Sequence, residues 1–153
     1  MISLITVGMN HRRYIGNLYD SLFSEIPIGT ELEAIYVDNC STDDSVSFIR
    51  EHYPQVKIIQ NLEPLGFGEN NNKGVRNSKG DCIGIINPDI VFTKGSLGHI
   101  IDMFKSHDNC KYIVAPRLLN PDKSLQYSVR RFATLKMMLH RWRAGIDDNS
   151  EIA

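Results

Sequence analysis

The sequence predicts an α/β fold: a Rossmann-like, mostly parallel sheet with helices on both faces. Short runs rich in Ile and Val alternate with segments whose apolar residues recur at helical spacing. The runs are largely apolar, as strands buried on both faces are. Clusters of Asn, Asp and Ser follow directly on them, where open α/β sheets bind ligands.

Ile2 to Val7 reads as the first strand, and 11–24 as a helix with Tyr14, Ile15, Leu18, Leu22 and Phe23 on one face and Asn10 as its cap. Pro27 and Gly29 close that unit, and Leu32 to Val37 is the second strand. The next helix takes Ser41 or Thr42 as cap and places Asp43 and Asp44 in its first turn, where acids meet unpaired N–H groups; Pro54 ends it. "VKIIQ" (56–60) is the third strand and 61–68 a loop. Residues 69–78 make a weaker helix, holding three consecutive asparagines and Gly74. "CIGIIN" (82–87) is the fourth strand, Leu97, Ile100, Ile101 and Phe104 restore a helical face, and "YIVAP" (112–116) is a fifth strand. "RLLNPDKSLQYSV" (117–129) reads as an extended pair turning at Asn120-Pro121-Asp122, 135–140 as a short apolar and basic helix, and 147–153 as a polar tail.

At 153 residues, 42% apolar and 23% charged, the chain suits one globular domain and not a disordered or fibrous protein. A net charge of -1 gives no ground for a nucleic-acid partner. The charge is uneven: Glu25 to Glu51 holds seven acids and one Arg, whereas Lys111 to Arg143 holds eight Lys or Arg and the one acid Asp122. Cys40, Cys82 and Cys110 are widely spaced without a C-x-x-C pair, which fits reduced thiols and a cytoplasmic location. The apolar start is too short for a signal peptide, and no run approaches the roughly 18 apolar residues of a membrane span. Any membrane association is expected to be peripheral.

Three polar exits carry the candidate chemistry. Asp38 follows "AIYV" directly, with Asn39, Ser41 and Asp43 crowding the same turn; it is either an Asx-turn residue or a carboxylate offered to a ligand. In "GFGENNNKG", Gly66 and Gly68 either permit tight turns or open a helix start whose free N–H groups receive a diphosphate, with Lys73 or Arg76 near. The segment matches neither G-x-x-x-x-G-K-[ST] nor G-x-G-x-x-G, which disfavours a nicotinamide-dependent oxidoreductase. In "IGIINPDI", Pro88 ends an apolar strand expected to be buried and restricts Asn87 to extended backbone, so Asn87 and Asp89 are expected on one side. Together they form either a simple turn or two oxygen ligands for a hard cation such as Mg²⁺ or Mn²⁺.

Taken together, "YVDNCSTDDS", "NLEPLGFGENNNKGVRNSKGD" and "IINPD" resemble the inverting family 2 glycosyltransferases, in particular the rhamnosyltransferase-like branch that builds bacterial surface polysaccharides. The resemblance covers residues 2–143, with its motifs in order. It implies a GT-A fold over 1–146, a nucleoside-diphosphate sugar donor (UDP- or dTDP-linked), a divalent cation (Mg²⁺ or Mn²⁺) and a saccharide or lipid-linked acceptor. By position, Asp38 and Asn39 fall at the nucleoside contact, and Val7, Gly8 and Asn10 where the first strand lines that pocket. Gly66, Gly68, Asn71 and Asn72 fall in the donor loop, and Asn87 and Asp89 at the metal motif, with Asp89 as ligand. Arg130 and Arg131 correspond to an arginine pair near the donor phosphates, although solvated arginines are the commoner case. Gly8-Met9 and Asn70 depart from the usual pattern. The resemblance reaches the donor side only. No residue matches the acceptor-side aspartate that serves as base, so the catalytic base is unassigned. The sequence is expected to be part of a longer transferase at the inner face of the plasma membrane, the alternative being a non-catalytic module that binds nucleotide-sugar or a partner.

Overall fold

A computed structural model describes residues 1–105 and 113–126. Residues 1–111 form one unit and 112–153 another. The first runs β1 (Ile2–Gly8), α1 (Arg12–Ser24), β2 (Leu32–Asp38), α2 (Ser45–His52), β3 (Lys57–Gln60), α3 (Phe67–Arg76), β4 (Cys82–Ile86) and α4 (Ser96–Lys105). Its strands form one parallel sheet in the order β3-β2-β1-β4. The chain steps outward from β1 to β3, and α3 then carries it back to the far side of β1. Such a reversal opens a crevice at the carboxyl ends of the central strands, the ligand position of open α/β sheets.

Strand alternation sorts the two faces. Leu4, Ala34 and Tyr36 belong to the larger core, completed by Ile15, Leu18, Tyr19 and Leu22 of α1, Ile49 of α2, and Leu97 and Ile101 of α4. Ile5, Ile35 and Val37 form the core of the opposite face, joined by Val7, Ile59 and Ile83. Here α3 approaches so closely that a Cβ on Gly74 would run into Ile5 and lie 3.3 Å from Val37 Cγ2. Glycine costs the helix about 1 kcal/mol in propensity. Close docking on the sheet is what that position requires.

Several boundaries differ from expectation. Helix α1 takes His11, not Asn10, as its N-cap, because Asn10 has φ 58° and spends its side-chain oxygen on another loop. Helix α2 starts only at Ser45, so neither Ser41 nor Thr42 caps it and Asp43 and Asp44 precede its first turn. The Asp43 carboxylate instead accepts from Ser45 N at 3.0 Å and from Arg12 N at 3.1 Å, so it also serves the open end of α1. Helix α3 starts at Phe67, which puts Gly68 inside the helix rather than in a loop. Strand β4 stops at Ile86 and pairs only with β1 among the described residues, leaving Ile85 54% exposed rather than buried.

In the second unit, residues 113–116 form no strand, contrary to expectation. Pro116 brings no N–H to a ladder. The expected turn after them is present: Leu119 pairs with Leu125 antiparallel, Lys123 N donates to Asn120 O at 2.8 Å, and Asp122 accepts from Ser124 N at 2.9 Å. Arg130, Arg131, the helix expected over 135–140 and the tail from 147 lie outside the described residues.

Candidate functional site

A cleft of about 640 Å³ opens at the carboxyl ends of β1 and β4. Four stretches line it. Val7, Gly8, Met9 and Asn10 come from β1 and its exit, and His11, Arg13 and Tyr14 from the start of α1. Asn39 comes from the exit of β2, with Leu65, Phe67 and Asn70 beyond β3. Asn87, Pro88 and Asp89 follow β4.

The exits of β1 and β2 are locked together. Asn10 and Cys40, each two residues past its strand, take left-handed φ of 58° and 63°. Asn tolerates that region better than most residues, because its short polar side chain bonds locally. Asn10 Oδ1 accepts from Thr42 N at 2.8 Å, Asp43 N at 3.3 Å and Thr42 Oγ1 at 3.3 Å, while its own N–H donates to Ser41 Oγ at 3.0 Å. Burial pushes the Asp43 carboxyl up, but hydrogen bonds from Ser45 and the Arg12 N–H, with His11 nearby, hold it below its ordinary 3.8. Asp43 is therefore the ionised half of this clasp near neutral pH. Next to it, His11 Nδ1 accepts from Met9 N at 2.9 Å, which assigns the ring proton to Nε2. Gly8 is needed here as well: a Cβ would run into the Tyr36 hydroxyl.

On the opposite wall, Asn39 grips the β3–α3 loop from both sides. Its Oδ1 accepts from Leu65 N at 2.8 Å and its Nδ2 donates to Leu65 O at 3.1 Å. Phe67 then stands 63% exposed at the start of α3, as Met9 does (44%) beyond β1. Two large apolar side chains left in water on one cleft, beside Asn and Asp side chains, give it both an apolar and a polar surface.

Beyond β4 the backbone turns instead of staying extended. Ile90 N donates to Asn87 O at 3.3 Å, Pro88 is buried, and Asn87 and Asp89 are exposed. Both still face the cleft. Among the described residues no group of three or more His, Cys, Asp or Glu gathers in metal-ligand fashion. One carboxylate and one amide oxygen are a donor set that suits a hard divalent ion completing its shell with phosphate and water.

Of the residues expected at a site, the cleft brings together Val7, Gly8, Asn10, Asn39, Asn87 and Asp89. Asp38 is only 2% exposed and accepts from Ser41 N at 3.2 Å, which makes it a turn residue beneath the cleft. Gly66 is the N-cap of α3 and Gly68 lies in its first turn. Asn71 is buried and donates to Phe67 O at 2.9 Å, and Asn72 is exposed; none of these four lines the cleft. The sequence reading missed His11, Arg13 and Tyr14 as lining residues, and did not single out Leu65, Phe67 and Asn70 within the 61–72 exit after β3. Phe67 had a signal, the one aromatic among residues 61–72; Arg13 and Tyr14 had only their place at a helix start.

The profile of the family "Glycosyl transferase family 2" matches residues 3–149, and the chain belongs to that family. It is 28% identical over 116 residues to an uncharacterized glycosyltransferase of Haemophilus influenzae, covering 76% of this chain and 38% of that protein. The crystal structure of S. aureus TarS 1-349 in complex with UDP is similar at 25% identity and a TM-score of 0.64, over 69% of this chain and 32% of that one. A mannosyltransferase from Pyrobaculum calidifontis, in complex with GDP-Man and Mn²⁺, shares the fold at 22% identity and a TM-score of 0.60, over 65% and 31%. The chain thus spans about a third of the length of the proteins it matches.

Proposed function

We propose that this chain is the donor-binding part of an inverting, metal-assisted glycosyltransferase of the rhamnosyltransferase-like branch, with residues 1–146 as its nucleotide-sugar-binding domain. The cleft carries this reading. Residues from the exits of β1, β2 and β4 converge on one space with both apolar and polar walls. Family membership and the UDP and GDP-Man complexes of its structural relatives support a nucleoside-diphosphate sugar as the occupant.

The roles are those that the family resemblance implies, read together with the position of each described residue in the fold. Val7, Gly8, Asn10 and Asn39 line the nucleoside side, Asp38 fixes the turn beneath it, and Gly66, Gly68, Asn71 and Asn72 shape the loop and helix behind. Asp89 and Asn87 would hold Mg²⁺ or Mn²⁺, which when bound neutralises charge gathering on the departing diphosphate. Arg13 adds a guanidinium to the same cleft, and Arg130 and Arg131 are assigned to the donor phosphates. The acceptor, a saccharide or lipid-linked saccharide, attacks the anomeric carbon through a hydroxyl. Its new C–O bond forms as the bond to diphosphate breaks, and its proton passes to a general base. Among the described residues no helix is long and apolar enough to cross a membrane; the contact proposed with the inner face of a plasma membrane is peripheral.

The test is calorimetric titration with UDP-, dTDP- and GDP-sugars, with and without Mn²⁺, on the chain and on Asp89→Ala. Binding of at least one donor, strengthened by Mn²⁺ in the native chain and not in Asp89→Ala, is expected. A folded sample that binds none overturns the donor site; unchanged Mn²⁺ dependence in the variant overturns Asp89 as ligand.

A further inference from the structure

We infer that Lys73, together with Asn61 and Asn70, is a positioning residue of the cleft: one ammonium on the second turn of α3 anchors the Asn61 amide that links Asn39 to Asn70 and, through them, braces the Leu65–Phe67 wall. The inference rests on the donor-site reading and adds to it Lys73 and Asn61, which do not line the cleft.

The argument is one of donors and acceptors. Lys73 Nζ donates to Asn61 Oδ1 at 2.7 Å. An ammonium has no acceptor, so the Asn61 amide must face it with oxygen and direct its NH₂ the other way. That NH₂ donates to Asn70 Oδ1 at 2.6 Å and Asn39 Oδ1 at 2.9 Å. With their oxygens so committed, both partners turn their NH₂ groups to the loop. Asn70 Nδ2 donates to Leu65 O at 3.0 Å and Gly66 O at 3.1 Å, and Asn39 Nδ2 to Leu65 O at 3.1 Å. Leu65 N returns a bond to Asn39 Oδ1 at 2.8 Å.

Asn70 is fully buried and Asn61 8% exposed, so water offers these two amides no easy alternatives, while Lys73, Asn39 and Leu65 are half-buried around them. An amide flip at Asn61 would set NH₂ against the ammonium and oxygen against two oxygens. The Leu65 and Gly66 backbone groups favour the same orientations of Asn39 and Asn70, so the ammonium and the loop select one arrangement from opposite ends of the network. Three members of the chain of bonds, Asn39, Leu65 and Asn70, line the cleft, whereas Lys73 does not. Lys73 is thus a remote determinant of how well a nucleoside diphosphate is received, and its ammonium is directed to Asn61 and not to a diphosphate.

The variants are Lys73→Met, which keeps the stem without the charge, and Lys73→Arg, which keeps a donor-only cation. UDP affinity by calorimetry, exchange of the Leu65 amide and Tm are compared with the native 153-residue chain. Expected for Lys73→Met is UDP binding about tenfold weaker and Leu65 exchange about tenfold faster, the loss of one hydrogen bond to a charged group. Lys73→Arg should restore most of both. A lowered Tm or faster exchange with UDP affinity unchanged overturns the inference and leaves a structural brace. Should the native chain bind no nucleotide, the donor site itself falls, and native Leu65 exchange in Lys73→Met would then dismiss the positioning network separately.

Discussion

Asn10 is held by its backbone conformation and by its side chain, and the two are separable. Asn10→Gly keeps the left-handed φ but removes the oxygen that serves Thr42 and Asp43, whereas Asn10→Ala loses both. An exposed hydrogen bond of this kind contributes about 1 kcal/mol, and a left-handed alanine costs about 1 more. Urea unfolding should therefore find Asn10→Gly less stable by about 1 kcal/mol and Asn10→Ala by about 2. Equal losses would mean that the conformation carries no strain. At this scale the sequence marked Asn10 as a polar residue at a strand exit but could not show what it binds. Its partners are more than thirty residues away, and a cap on the next helix is the nearer and simpler assignment. Asp38 failed to line the cleft for a related reason. Strand alternation puts it beneath the turn it stabilises, on the same face as the buried Tyr36.

Element boundaries are where tertiary contacts outweighed local signals. Asp43 and Asp44 looked like first-turn acids of α2, yet Asp43 serves Arg12 at the start of α1, and α2 begins after it. At the amino ends of the strands, Glu33 plays a similar part. Its carboxylate accepts from the Ser3 hydroxyl and from Lys79 N, and Ser3 Oγ in turn accepts from Gly80 N at 2.8 Å, which ties β1 and β2 to the approach of β4. Burial pushes the Glu33 carboxyl up, but the Ser3 hydroxyl, the Lys79 and Gly80 N–H groups and the charge of Lys57 together bring it below its ordinary 4.5. A carboxyl lowered by folding stabilises the fold fully above its unfolded value, and that contribution is lost as pH falls through the folded one. The stability gap between the native chain and Glu33→Gln should therefore be constant near neutral pH and narrow as pH falls through and below the ordinary 4.5. Parallel Tm curves across that window would show that Glu33 titrates alike in both states.

For the molecule as a whole, the alternation of apolar strands with helical segments was enough to give a parallel sheet covered on both faces, because strands buried on two sides need continuous Ile and Val. The same rule placed ligand chemistry at strand exits, and six of the expected residues line one cleft there. Strand order was not legible, and neither was the exposure of Ile85, since both depend on α3 crossing back over β1. At the "NPD" exit a turn was one of the two readings and is present; that its residues also face the cleft was left open by the sequence. The most direct test of the central claim is to map amide chemical-shift changes while the chain is titrated with UDP and Mn²⁺. The account predicts changes concentrated at Gly8 to His11, Asn39, Leu65 to Phe67 and Asn87 to Asp89. Changes confined to the opposite, amino ends of the strands, around Ser3, Glu33 and Gly80, would contradict it.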